Sequence, residues 1–180
     1  VLVTGSEGSL MQAVIPKLIA KGYEVYGVDN LMRYGVRPEN DRNYKFLCGD
    51  LVDPFFVDDA FDQSRPDYVI QAAARIYGVG GFHSYRADIL GEDITLHNNI
   101  LKKSHEHGVK RVVFISSSMV YENVKSEANG TLLESKSALP TTDYGLSKWT
   151  NERLSIAFRE QYLLPYTIWR PFNILTPLEK

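Results

Sequence analysis

Short apolar runs alternate with amphipathic stretches along the whole chain. The runs are Val1–Val3, Glu24–Val28, Tyr44–Cys48, Tyr68–Ala74, Arg111–Ile115 and Tyr166–Trp169. Each is rich in Val, Ile, Phe or Tyr and too short for a helix, which predicts six strands. Continuous apolar character, without alternation, predicts strands covered on both faces. Cys48 is then an inert thiol in a buried strand. Helical patterns fill the gaps. Ser9–Lys21 carries apolar residues at 10, 14, 15, 18 and 19 and stops at Gly22. Pro16 inside it predicts a kink or a later start. Pro54–Gln63 follows Asp53, with proline in the first turn. Tyr85–His107 sets Leu90, Ile94, His97 and Leu101 on one face and ends at Gly108. Thr142–Tyr162 follows Pro140, with Thr or Asp as its cap. Such repeated β–α alternation predicts a doubly wound α/β domain on a parallel sheet, with right-handed crossovers.

Composition narrows the partners. A chain of 180 residues that is 44% hydrophobic fits one domain over residues 1–180. Twenty basic against 22 acidic side chains leave a net charge of −2, which removes the electrostatic case for nucleic acid. The lone Cys48 makes no internal disulfide and no metal cluster, so no metal site is expected. No apolar run approaches the roughly 20 residues of a membrane span. The opening VLVTG is read as carrying no signal peptide, which gives a cytoplasmic expectation. It lacks an initiator Met and starts inside a strand, while PLEK follows a strand and a turn. The chain is therefore expected to be a fragment of a longer protein.

Two long irregular stretches, Leu31–Asn43 and Glu122–Thr141, follow strand ends, where open α/β sheets hold their ligand crevice. The Gly-rich segment Thr4–Met11 joins the first strand to the first helix. Gly5 allows a tight turn, and Gly8 lets backbone approach a pyrophosphate seated on the helix N-terminus, at Ser9 and Leu10. The second strand leads to Asp29, 24 positions after Gly5, with Asn30 beside it. A carboxylate there accepts from ribose hydroxyls and repels a 2′-phosphate, favouring NAD over NADP. Arg33 argues the other way, but a loop arginine is more often solvated. Gly49-Asp50-Leu51 ends the third strand, and Asp50 is a candidate partner of the adenine amino group. Small residues at Ala72, Ala73 and Ala74 let a dinucleotide pass close to the backbone.

The fifth strand runs into Ser116-Ser117-Ser118-Met119-Val120-Tyr121, and Tyr144 and Lys148 follow at i and i+4 on a helix. An ammonium one turn from a phenol favours the phenolate, and a serine hydroxyl at the strand end can bond the same substrate oxygen. Together these motifs resemble the extended short-chain dehydrogenase/reductase family of nucleotide-sugar epimerases and dehydratases. The likeness rests on TGxxG at Thr4–Gly8, Asp29, Gly49-Asp50-Leu51, FISSSMVY, Tyr144-xxx-Lys148 and Arg170-Pro171-Phe172-Asn173. It implies a Rossmann-type sheet in the order 3-2-1-4-5-6, with the substrate-binding C-terminal part absent. It implies NAD as cofactor, a nucleotide-sugar substrate, and a homodimer through the helices holding Asp93 and Tyr144. It assigns catalysis to Ser117, Tyr144 and Lys148, nicotinamide contacts to Pro171 and Phe172, and a diphosphate contact to Asn173. Ser118, and His83 in the loop after the fourth strand, are candidate substrate contacts.

The chain departs from the family pattern at Met11, where the third glycine falls, which implies a looser or rearranged cofactor seat. The family's asparagine early in the fourth helix falls on Asp93. GVGGFHSYRADIL resembles GDP-fucose synthase-like members, but Met119 stands where that class has a cysteine acid/base. Ser117-Ser118-Met119 replaces the Thr-Asp-Glu of the 4,6-dehydratases. An NAD-dependent epimerase or dehydrogenase is the favoured function. The alternatives are a GDP-keto-sugar epimerase–reductase and a non-catalytic dinucleotide-binding protein. His97 reads as a core or interface histidine, and His105 and His107 suit a helix C-terminus. The charges of LKKSHEHGVKR read as a solvated face, and Glu127 and Glu134 as exposed loop residues.

Overall fold

A computed structural model describes the chain except residues 34, 36–41, 76–83, 128–129, 137 and 177–180. The apolar runs form β1 (Leu2–Thr4), β2 (Tyr26–Asp29), β3 (Lys45–Cys48), β4 (Tyr68–Gln71), β5 (Arg111–Ile115) and β6 (Tyr166–Trp169). The amphipathic stretches form α1 (Ser9–Ala20), α2 (Pro54–Ser64), α3 (Arg86–Glu106) and α4 (Asp143–Tyr162). All strand pairs are parallel and the order is β3-β2-β1-β4-β5-β6, the 3-2-1-4-5-6 expected for a Rossmann-type domain.

Successive side chains of a strand point to opposite faces, so each strand feeds two cores. Leu2, Val28, Val69 and Val112 pack with Val57 and Phe61 of α2 and Ile100 and Leu101 of α3. Val3 and Ile70 pack on the other face with Met11 and Ile15 of α1. Phe61 and Ile100 are fully buried, and truncating such a side chain to alanine costs about 2–5 kcal/mol. His97 belongs to this interior: its Nε2 lies 3.0 Å from Ser155 Oγ and its ring 4.3 Å from Phe114.

Several expectations are corrected. Cys48 is exposed, because β3 is an edge strand. β4 stops at Gln71, short of Ala74, because the N–H groups of Ala72 and Ala73 both turn to Thr4 Oγ1, at 3.1 Å each. α1 starts at Ser9 and runs through Pro16, which lies on its exposed side. The LKKSHEHGVKR face is not merely solvated, since Lys103 ties α3 to Asp58 of α2 at 2.5 Å. Of the two caps considered for α4, Thr142 serves, its Oγ1 accepting from Gly145 N at 3.1 Å.

Candidate active site

The carboxyl ends of β1 and β4 part where the strand order reverses, and a groove of about 480 Å³ opens there. Gly5 turns the chain out of β1 at φ +65°, a left-handed conformation that suits glycine. A Cβ on it would lie 2.9 Å from Ala73 N, so the turn and the end of β4 touch through backbone alone. α1 then begins without a side-chain cap and without an acidic residue in its first turn. Its N–H groups and positive dipole end are left for an anion. Asp29 stands at the end of β2, accepting from Glu7 N at 3.1 Å and from Leu31 N at 2.8 Å. Asp50 accepts from Val52 N at 3.0 Å and from Arg75 Nη2 at 2.6 Å. Burial opposes its charge, but Val52 N–H, Arg75 and Asn30 outweigh it and hold the carboxyl below the usual range. Of the expected cofactor residues, Gly5, Gly8, Asp29, Asn30, Asp50, Leu51, Ala73 and Ala74 line the groove, with Arg33 and Arg75. Ser9, Leu10, Tyr144, Lys148, Pro171 and Phe172 stand outside that lining. His83 lies outside the described residues.

At the end of β5 the chain passes Ser117, which is nearly buried, into a 3₁₀ turn at Ser118–Tyr121. Ser117 Oγ accepts from Met119 N at 3.2 Å. The first turn of α4 packs on this turn closely enough that a Cβ at Gly145 would lie 3.0 Å from Met119 O. That contact sets Tyr144 beside the serine turn. One helical turn later Lys148 is 3% exposed, its Nζ donating to Ile115 O at 3.2 Å and lying 5.7 Å from the Tyr144 ring centre. The β5–β6 pairing continues past the sheet, with Ser118 N donating to Pro171 O at 2.9 Å. Phe172 stacks on Tyr121 with ring centres 6.2 Å apart, and Asn173 is exposed beside it. The segments that carry Ser117, Tyr144, Lys148, Pro171 and Phe172 thus lie around the ends of β5 and β6.

Residues 1–180 match the NAD dependent epimerase/dehydratase family. The chain belongs to this family. It is similar to GDP-L-fucose synthase 1 of Arabidopsis thaliana, 27% identical over 179 residues, which cover 98% of this chain and 51% of that protein. The crystal structure of UDP-glucose 4-epimerase with UDP-glucose from Thermotoga maritima superposes with a TM-score of 0.83 at 33% identity, over 94% of this chain and 54% of that one. The UDP-glucose 4-epimerase of Thermus thermophilus in complex with NAD gives a TM-score of 0.76 at 25% identity, over 94% of this chain and 53% of that one. The chain spans about half the length of the curated relatives it matches.

The groove of this epimerase/dehydratase member fits NAD. The Gly5–Ala73 contact leaves no side chain over the turn, the first turn of α1 is uncapped, and a carboxylate ends β2. Met11 does not intrude, because its side chain is buried against Val3, Ile15 and Val25. Sequence reasoning missed what braces the site. Glu152, one turn beyond Lys148, accepts from Ser116 Oγ at 2.6 Å, Arg170 Nε at 2.9 Å and Arg170 Nη2 at 2.7 Å. Arg170 also donates to Tyr121 Oη at 2.8 Å. The i+4 spacing of Tyr144, Lys148 and Glu152 is the signal that could have found it. Arg75 was missed too: it joins Asp50 to Glu92 of α3 across the groove wall. Asp93, expected only as a departure, is 1% exposed and accepts from Arg75 N at 2.6 Å. Among the described residues, no group of acidic, histidine or cysteine side chains is arranged for a metal, and no helix is long and apolar enough to cross a membrane.

Proposed function

We propose that this chain is the cofactor and proton-transfer part of an NAD-dependent nucleotide-sugar epimerase or dehydrogenase. The observation that carries the reading is the buried Lys148 ammonium, one turn from Tyr144 and fastened to Ile115 O at the end of β5. NAD supplies the hydride acceptor when bound. Ser117 orients the sugar hydroxyl with its own hydroxyl. The Tyr144 phenolate takes the hydroxyl proton as hydride leaves the sugar carbon, and Lys148 stabilises the phenolate charge and holds the cofactor ribose. In an epimerase cycle the keto sugar turns over and Tyr144 returns the proton as the hydride comes back on the other face. Gly5, Gly8, Ser9 and Leu10 seat the pyrophosphate, Asp29 and Asn30 the ribose, and Asp50, Leu51, Ala73 and Ala74 the adenosine side. Pro171 and Phe172 line the nicotinamide, while Ser118, His83 and Asn173 contact substrate. A homodimer through α3 and α4 and a cytoplasmic location belong to the same proposal.

Likeness to UDP-glucose 4-epimerases favours the epimerase cycle. Likeness to a GDP-L-fucose synthase favours a second reading, an epimerase–reductase for a GDP-keto-sugar. Met119 counts against it, because a thioether transfers no proton. The test is turnover of the complete protein on UDP-, GDP-, CDP- and dTDP-sugars, with product stereochemistry read directly. Tyr144→Phe abolishes that turnover while NAD binding persists; a phenylalanine protein as active as its parent overturns the assignment.

A further inference from the structure

The serine turn and the tyrosine helix are joined by a carboxylate that belongs to neither motif. α4 opens on Thr142, whose Oγ1 accepts from Gly145 N at 3.1 Å. In a capping box the residue at that third helical position is Glu or Gln, which reaches back to the backbone N–H of the cap. Here the position is Gly145, and a side chain does not fit: a Cβ would lie 2.9 Å from Thr142 Oγ1 and 3.0 Å from Met119 O. The close approach of the helix to the serine turn therefore removes the helix's own means of satisfying the N–H of its cap.

Glu122 supplies what is missing. It follows the 3₁₀ turn at Ser118–Tyr121, and its Oε2 accepts from Thr141 N at 2.9 Å, Thr142 N at 3.0 Å and Thr142 Oγ1 at 3.2 Å. The Thr142 hydroxyl thus gives its proton to Glu122 and takes the Gly145 N–H, as one donor and two lone pairs allow. These are charge-assisted bonds, made at the positive end of the α4 dipole. Asn123 Nδ2 donates to Leu139 O at 2.7 Å, so two successive residues clasp 139–142. On the other side, Glu122 N donates to Met119 O at 3.2 Å, and Met119 N donates to Ser117 Oγ at 3.2 Å. A short chain of hydrogen bonds therefore runs from the Ser117 hydroxyl, through Met119 and Glu122, to the first turn of the helix that carries Tyr144.

We propose that Glu122 is a positioning residue that fixes the Ser117 hydroxyl relative to the Tyr144 phenol, so that both meet one substrate oxygen. This rests on the Ser117–Tyr144 reading above. Two groups that share a substrate oxygen gain their rate from geometry, and a misplacement of about 1 Å costs up to about a hundredfold. Without the carboxylate, the segment before α4 loses three of its ties and the tyrosine turn shifts against the serine turn. The groove at the ends of β1, β2 and β4 is lined by other residues, so NAD binding persists.

The experiment compares variants of the complete protein at saturating NAD, on whichever of the UDP-, GDP-, CDP- and dTDP-sugars the parent turns over. Glu122 is exposed, so its substitution opens no cavity. Glu122→Ala lowers kcat about tenfold and leaves the NAD Kd, read by titration calorimetry, within about twofold. Glu122→Asp keeps the charge one methylene short of the amides and loses kcat in the same sense. Glu122→Gln keeps an oxygen acceptor and returns kcat to within about threefold of the parent. In a Ser117→Ala background Glu122→Ala costs less than about twofold, because the relation it sets has lost one of its ends. The same loss in that background, a glutamine protein no better than the alanine one, or NAD affinity falling in step with kcat makes Glu122 a structural residue and overturns the inference. So does a Glu122→Ala protein as active as its parent while Tyr144→Phe is inactive. An active Tyr144→Phe protein overturns the underlying site instead.

Discussion

Glu152→Ala tests whether the brace under the site is as strong as its geometry. The Glu152 side chain is 5% exposed and that of Arg170 20%. The alanine removes the acceptor of two guanidinium bonds, at 2.9 and 2.7 Å, and of the Ser116 hydroxyl at 2.6 Å. Removing one partner of a buried ion pair costs about 3–5 kcal/mol, because the other charge is left desolvated and unpaired. Arg170 keeps Tyr121 Oη at 2.8 Å and Glu134 O at 3.0 Å, and part of it reaches water. The expected loss therefore sits at the lower end, about 3 kcal/mol. Glu152→Gln keeps an acceptor for Ser116 but turns an amide toward a guanidinium; about half that loss is expected, ~1.5 kcal/mol. Urea unfolding of each variant, with m unchanged, reads these values, and a double-mutant cycle with Arg170→Met isolates the pair at about 2 kcal/mol. A Glu152→Ala loss below about 1 kcal/mol, the range of exposed pairs, would show that the brace is not the buried pair described.

Gly5→Ala brings a Cβ to 2.9 Å from Ala73 N at a φ of +65°, and it lowers NAD affinity at least about tenfold by forcing the turn and β4 apart; titration calorimetry giving an unchanged Kd would contradict the close approach. Asp29→Ala weakens NAD and narrows its preference over NADP, because the carboxylate that accepts from ribose and repels a 2′-phosphate is gone; equal affinities for both dinucleotides in parent and variant would count against this role. The Asp93 carboxyl is raised from 3.8 to about 6 by burial, so the folded state holds its proton more tightly than the unfolded chain. Its contribution to stability is full below pH ~4 and is lost as pH rises through about 6, a change of about 3 kcal/mol. Asp93→Asn therefore gains more stability over the parent at pH 8 than at pH 4, and a gain equal at both values, read from denaturant midpoints, would sink the assignment. Carboxyls shifted the other way, such as Asp50 and Glu122, cancel in that comparison.

What was legible in the chain, and what was not, divides by sequence distance. Each strand and helix announces itself within a few residues, because a short continuous apolar run and a period of 3.6 are local properties. β–α alternation then implies a parallel sheet with right-handed crossovers, and the family resemblance implies the 3-2-1-4-5-6 order that the sheet has. The groove was legible for the same reason, since Gly5, Asp29, Asp50 and Ala73 each sit at a strand end and the topology gathers strand ends. Tyr144 and Lys148 share one helix face. The misses are long-range. Arg170 follows β6 and Glu152 lies on α4, and only the packing of α4 against the end of β6 turns two common charged residues into a buried pair. Asp93 and Asn151 are brought together only by the α3–α4 contact. Cys48 is the instructive case, because it followed from what was already inferred: the expected order makes β3 an edge, an edge strand is covered on one side only, and a continuous apolar run is no guarantee of burial there. Residue pattern reports what a strand can bury, and position in the sheet decides what it does bury. A residue read from pattern alone therefore needs its element's neighbours before its charge state can be argued, and Asp93, polar in pattern yet buried on α3, is where that difference is largest.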